Sequence, residues 1–183
     1  MALSRISEET RRHVAFGAIA IIGSLIFLLM PLLIGEFDRT AKYTSSQLGM
    51  IGSAPMFGMF FGAIGASFFV KNLLNCGCVL AVIIMMMSSY LVFSMFPALF
   101  IIVVVSLFFA GVAGAVLMGV GFAVMSLAAN PDRVFAIWIS MQLVAASLVI
   151  GPFSKVFDAF SVKGGGLALV AVTLCAILPL GLV

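Results

Sequence analysis

The chain has 183 residues, 64% of them hydrophobic and 8% charged, with a mean hydropathy of +1.37 and a formal net charge of +3. A soluble domain carries about a quarter charged residues and about half apolar ones, so this composition excludes a soluble globular enzyme, and its apolar content excludes a disordered chain. Nine scattered Lys/Arg against six Asp/Glu form no basic patch, which excludes nucleic acid as a partner and leaves the lipid bilayer as the main solvent.

A membrane-spanning helix needs ~20 consecutive apolar residues. Six stretches meet or approach that length, at about 14–34, 48–70, 73–94, 98–128, 134–153 and 166–183, which predicts an all-α polytopic membrane protein of one six-helix domain. The first run is too long for a signal peptide and is followed by Glu36-Phe37-Asp38-Arg39 rather than a small-residue cleavage site. Residues 36–46 are read as a polar loop, with Ser45 or Ser46 capping the second helix. Lys71, Asn72 and Asn75 separate the second and third spans, and Pro97 the third and fourth. Asn130-Pro131-Asp132-Arg133 predicts a helix start: Asn at the cap, Pro in the first turn, Asp at the positive end of the dipole. Residues 161–166, ending Lys163-Gly164-Gly165-Gly166, are read as a flexible turn before the last span.

Every charged residue falls in the gaps or the tail, so no span is expected to carry a buried charge. With the N-terminus cytoplasmic, Arg5, Arg11, Arg12, Lys71 and Arg133 lie inside, and Arg39, Lys42, Lys155 and Lys163 outside. The basic tail before the first helix sets the orientation, with both termini cytoplasmic.

Two ladders of small residues stand out: Ala54, Gly58, Gly62 and Ala66 in the second span, and Gly111, Ala115, Gly119 and Ala123 in the fourth. Residues four apart share a helix face, and in lipid such faces let backbones approach closely. Spacing alone does not say which helices meet. Met85-Met86-Met87 point in three directions on a helix and are read as packing material, and His13 as an interfacial residue. Cys76, Cys78 and Cys175 have no metal-ligand spacing and are read as free thiols. No phosphate-binding Gly-x-x-x-x-Gly-Lys and no nucleophile beside a His or Asp occurs, so neither an enzyme nor a cofactor or metal is expected.

The run 46–63, Ser-Gln-Leu-Gly-Met-Ile-Gly-Ser-Ala-Pro-Met-Phe-Gly-Met-Phe-Phe-Gly-Ala, resembles the second helix of major facilitator superfamily transporters. Phe108-Phe109-Ala110-Gly111-Val112-Ala113-Gly114 resembles that superfamily's fourth-helix signature, and Asn130–Ala136 leading to Gln142 resembles its loop and fifth helix. The resemblance covers the amino-terminal six-helix half of a twelve-helix fold and implies a 3+3 inverted repeat, a secondary transporter and a bacterial inner (cytoplasmic) membrane. Residues 70–77 lack the Asp-Arg pair and basic residues that the superfamily carries there.

A transporter needs polar groups facing a cavity. Gln142 is the only amide deep in a span and Trp138 the only tryptophan; four residues apart, they share one face of the fifth helix. Together with Ser24 they are the candidate substrate-binding residues, although an interhelical hydrogen bond by Gln142 is the competing reading. The expected function is small-molecule transport, with a second six-helix half missing from a truncated chain or replaced by a parallel homodimer. The alternative is a non-transporting relative acting as a structural or assembly subunit.

Overall fold

Hydrocarbon cannot hydrogen-bond a peptide group, so each span must close its own backbone hydrogen bonds. The chain does so in five helices, α1 (Ala2–Ala41), α2 (Ser45–Leu73), α3 (Cys76–Met95), α4 (Phe100–Met125) and α5 (Pro131–Cys175). All five contain a stretch long and apolar enough to cross a membrane. The computed structural model describes the backbone of residues 2–73 and 76–175, and side-chain surroundings for 14–68 and 77–175. His13 and the basic residues of the tail, the Lys71–Asn72 turn, and the 176–183 end of the expected sixth span lie outside the described side chains.

Several boundaries differ from the sequence reading. Helix α1 continues through the expected loop to Ala41, because Arg39 pairs with Glu36 one turn back (2.9 Å) and Thr40 Oγ1 donates to the Glu36 carbonyl (2.6 Å). Lys42, with φ of 51°, ends it in the left-handed region. The cap of α2 is Thr44 rather than Ser45 or Ser46: Gln47 N–H donates to Thr44 Oγ1 (3.3 Å) and Thr44 N–H to Gln47 Oε1 (2.9 Å), a reciprocal capping box. Helix α4 is shorter at both ends than the expected 98–128, since Pro97 lies in a turn closed by Leu99 N–H to the Phe96 carbonyl (3.2 Å). The start of α5 follows the sequence, with Arg133 N–H donating to Asn130 Oδ1 (3.2 Å) and Pro131 in the first turn.

The six separate spans expected from the sequence are five helical elements. The fifth expected span and residues 166–175 of the sixth lie together in α5, which leaves helical geometry only at Ser161 (φ 57°, ψ −159°). The glycines expected to form a flexible turn stay helical because they are packing positions. Gly165 lies against the Phe157 ring, and a Cβ on Gly166 would sit 2.6 Å from Ser94 Cβ and 3.0 Å from the Tyr90 carbonyl oxygen. The arm before Ser161 runs parallel to α1, with Trp138 beside Gly17 and Asp158 beside Arg39. The arm after it runs antiparallel to α3: Ser94 Oγ donates to the Lys163 carbonyl (2.6 Å), and Gly166 reaches back to Tyr90. The chain therefore reverses direction at Ser161.

Helix α4 is the centre, packed against α2 most extensively, then α1 and α3. The two ladders meet each other. Gly58 abuts the Phe108 carbonyl, Gly111 the Pro55 carbonyl, a Cβ on Gly62 would lie 2.9 Å from Val112 Cα, and one on Gly119 3.3 Å from Ala66 Cβ. Ala54, Ala66 and Ala115 are buried along this contact and Ala123 is half-buried. A second small-residue face, absent from the sequence reading, joins α4 to α1. Gly23 and Gly114 face each other through their carbonyls, and a Cβ on Gly121 would lie 2.7 Å from both Ala20 Cβ and the Phe16 carbonyl oxygen.

One end of the bundle gathers the C-termini of α1 and α3, the N-termini of α2 and α4, and the Ser161 reversal. Tyr43 Oη donates to the Pro97 carbonyl (2.7 Å), and its ring lies 5.9 Å from that of Phe100. Partial burial holds the Tyr43 phenol above its ordinary pKa.

Gly58→Ala or Gly111→Ala is expected to lower thermal stability in detergent, since each new methyl group meets backbone, and overpacking costs about 1–3 kcal/mol. Gly65→Ala, where nothing lies within 4 Å of the new Cβ, is the control and is expected to be neutral or stabilising. Equal midpoints for all three would contradict the close approach.

Single cysteines at the exposed positions Ser45 and Ala159, in a chain whose native cysteines are replaced, are expected to label from the same side of the membrane. One at exposed Leu127 is expected to label from the opposite side. Labelling of Ser45 and Ala159 from opposite faces would contradict the reversal.

Candidate functional site

The seam between α1 and the first arm of α5 is closed at each end by a different chemistry. At the Ser161 end, Arg39 bridges three partners: Glu36 Oε2 (2.9 Å), Asp158 Oδ1 (3.0 Å) and the Phe157 carbonyl (3.4 Å). Glu36 is only 5% exposed, whereas Arg39 and Asp158 reach solvent. This corrects the expectation that no span buries a charge, because Glu36 belongs to the apolar stretch Val14–Ala41. A buried carboxylate must be paired to be tolerated, and Arg39 pairs it while tying α1 to α5. Glu36 Oε1 has no hydrogen-bond partner.

At the other end α1, α4 and α5 surround a cavity of about 310 Å³, walled by Gly17, Ile21, Met125, Val134, Trp138 and Met141 among others, all of them apolar apart from the indole nitrogen. Trp138 is 8% exposed, and its Cδ1 lies 3.9 Å from where a Gly17 Cβ would stand. The ring stands edge-on to Phe122, with centroids 4.8 Å apart, and Phe122 in turn contacts Phe135 (5.6 Å). Trp138 Nε1 is buried with no hydrogen-bond partner.

Gln142 is half-buried one turn further along the same face, which continues through Ala145, Ala146, Val149 and Phe153. It lies about 16 Å along α5 from Pro131 at ~1.5 Å per residue, near the mid-depth of a hydrocarbon core about 30 Å thick. Its amide makes no side-chain hydrogen bond among the described residues. Gln142 does not line the cavity; Met141 does. Ser24 is buried on α1, and its hydroxyl donates to the Ile21 carbonyl of its own helix (2.7 Å).

Most other span hydroxyls behave like Ser24; Ser94, which donates to the Lys163 carbonyl, and Tyr90 do not. Ser67, Ser88, Ser89, Ser106, Ser140, Ser147 and Thr173 all donate to carbonyls three or four residues back. Helical serines satisfy themselves in this way. The larger cavities, about 590 Å³ between α2 and α4 and about 470 Å³ between α3 and α4, therefore have serines but no free hydroxyl donors. Tyr90 is fully buried beside Phe93, with its hydroxyl unpartnered, and lines none of these cavities. Cys78 and Cys175 are free.

No family model matches the chain, and no curated protein or solved structure matches it. The class that the fold defines is an all-α integral membrane protein whose spans are knit by glycine and alanine.

Arg39→Ala is expected to destabilise the chain more than Asp158→Ala, because it strands the buried Glu36 rather than an exposed partner; an unsatisfied buried group costs about 1–3 kcal/mol. Adding Glu36→Gln to Arg39→Ala is expected to recover part of that loss in thermal unfolding. No recovery would contradict the pairing account.

Proposed function

We propose that this chain is a small-molecule transport protein, built as the amino-terminal six-span half of a major-facilitator-type fold, with substrate contacted from the α1–α5 seam by Trp138 and Gln142. The observation that carries the reading is the pair itself. Most span serines donate within their own helices, whereas on one face of α5 the indole N–H of Trp138 is buried without a partner and the half-buried Gln142 makes no side-chain hydrogen bond among the described residues. An unpartnered amide in hydrocarbon costs about 2–7 kcal/mol by transfer estimates, a cost that a cavity water or a substrate would remove. Ser24, the third residue of the expected set, has no such need.

The helix pairings fit a 3+3 inverted repeat of the kind such transporters carry. Exchanging α1 with α4 and α2 with the first arm of α5 maps the α2–α4 contact onto the α5–α1 contact, and both exist. The arm after Ser161 would then be the counterpart of α3, against which it packs. The resemblance implies the bacterial cytoplasmic membrane, and the basic tail favours cytoplasmic termini. The first arm of α5 packs against α1 and turns Ile139, Leu143, Val144 and Leu148 outward. A second six-helix half, or a parallel copy of this chain, would complete the substrate path against that outward side.

One observation favours the alternative, a non-transporting assembly subunit: residues 70–77 carry none of the acidic residues of the resembled loop. Everted vesicles from cells expressing the full chain separate the two. They are expected to accumulate or lose at least one member of a panel of radiolabelled neutral and charged metabolites relative to vector vesicles. Gln142→Ala is expected to abolish that flux at equal amounts of folded protein in the membrane. Vesicles indistinguishable from vector across the panel would contradict transport.

A further inference from the structure

The bundle holds the first arm of α5 unevenly along its length. Near the Ser161 reversal, Phe153 and Phe157 are buried in the main core, and Asp158 meets the Arg39 bridge. Between Pro131 and Pro152 only Trp138 and Ala146 are buried. Trp138 does not join the main core. With Ala20 and Met125 it forms a small apolar cluster of its own, against which Phe122 and Phe135 pack. The cavity of about 310 Å³ lies beside this cluster, so its packing is incomplete. Beyond Ser161 the second arm is fixed to α3, by Ser94 on the Lys163 carbonyl and by Gly166 against Tyr90.

These contacts separate a firm end of the arm from a loose one. Parting the small cluster leaves the main core whole, and units with few buried apolar contacts open at the lowest free energy. Large dihedral changes concentrate in short links at the ends of elements, and Ser161 is such a link between two anchored helices. The closed arrangement also leaves Trp138 Nε1 buried without a partner, a cost that opening removes by uncovering the atom.

We propose that the first arm of α5 is a gate, hinged at its Ser161 end and latched at its Pro131 end by Trp138 standing edge-on to Phe122, with ring centroids 4.8 Å apart. Opening parts the arm from α1 and α4 and uncovers the cavity between them together with the face that carries Trp138 and Gln142. The inference deepens the transport reading by supplying the moving part of that site. It rests on that reading for what passes the gate, and not for the motion.

The test measures distances between paired spin labels on the full chain in lipid nanodiscs, with the native cysteines replaced. Cysteines at exposed Phe68 and Ile139 span the latch end, and those at exposed Phe68 and Leu174 report the second arm. Cysteines at exposed Met50 and Ala159 report the hinge end. The Phe68–Ile139 pair is expected to give a short and a long component, and the other two pairs one narrow component each. Phe122→Ala removes the ring that both Trp138 and Phe135 contact. It is expected to raise the long-to-short ratio about 2- to 10-fold, the worth of an edge-on aromatic pair. Gly17→Ala places a Cβ 3.9 Å from Trp138 Cδ1, an ordinary van der Waals contact, and is expected to lower the ratio.

A Phe68–Ile139 distribution that Phe122→Ala leaves unchanged would overturn the proposal, as would an unsubstituted chain in which all three pairs are equally broad. Where Phe122→Ala broadens the two reference pairs as well, Gly17→Ala decides: a smaller long component supports the gate and an unchanged one overturns it. Failure here and failure of transport are distinguishable. An arm that moves in a chain without vesicle flux keeps the gate and removes the transporter, whereas flux through a chain whose arm stays closed does the reverse.

Discussion

The close approach of α4 to two neighbours at once governs the rest of the structure. Lipid tails are as apolar as leucine, so helices in a bilayer gain little by hiding from solvent and must gain by contact. Gly111 and Gly119 bring α4 to α2, and Gly114 and Gly121, about a quarter-turn away, bring it to α1. A helix with a side chain at those positions would stand off by the width of that side chain and lose dispersion contacts along its length. With α1 and α2 fixed on α4, α3 packs against α4 and the outer arm of α5 against α3.

The first arm of α5 is held differently, and the difference bears on function. Among the described residues it meets α1 at a tryptophan against a glycine at one end and at the Arg39 bridge at the other. Between those anchors the seam holds the amide of Gln142, and beside the first lies the cavity. The closest core contacts are made by glycine and alanine, whereas buried polar atoms without partners lie on three helices: Glu36 Oε1 on α1, Tyr90 Oη on α3 and Trp138 Nε1 on α5.

Much of the fold was legible in the sequence because lipid imposes a simple rule of length and apolarity. The start of α5 at Asn130-Pro131 was legible too, since capping and proline chemistry are local. The ladders were visible as faces, but spacing along one helix carries no information about its partner. The second face, Gly114 and Gly121 with Gly23 and Ala20, was missed because its seven-residue spacing on α4 is less conspicuous than a run of fours. Glu36 was misread because a charged run after an apolar one resembles a loop; its pairing with Arg39 one turn ahead and the Thr40 hydroxyl on its carbonyl accompany the helical continuation. The glycine run at 164–166 was misread for the opposite reason, as freedom rather than close packing, and the reversal fell on Ser161 instead. That Trp138 and Gln142 share a face was legible from a spacing of four. That both lack partners required the packing, as did the removal of Ser24 from the set.

The most direct test of this account is a carbon–carbon correlation in the bilayer itself. In protein labelled at glycine Cα and phenylalanine carbonyl carbons, magic-angle-spinning NMR at short mixing time is expected to give a Gly58–Phe108 cross-peak, assigned by its loss in Phe108→Leu, which leaves the sequential Phe57–Gly58 peak in place. That peak requires the two backbones to touch with no side chain between them. Its absence, in a sample whose other helical correlations are intact, would contradict the packing of α2 on α4 and the arrangement built on it.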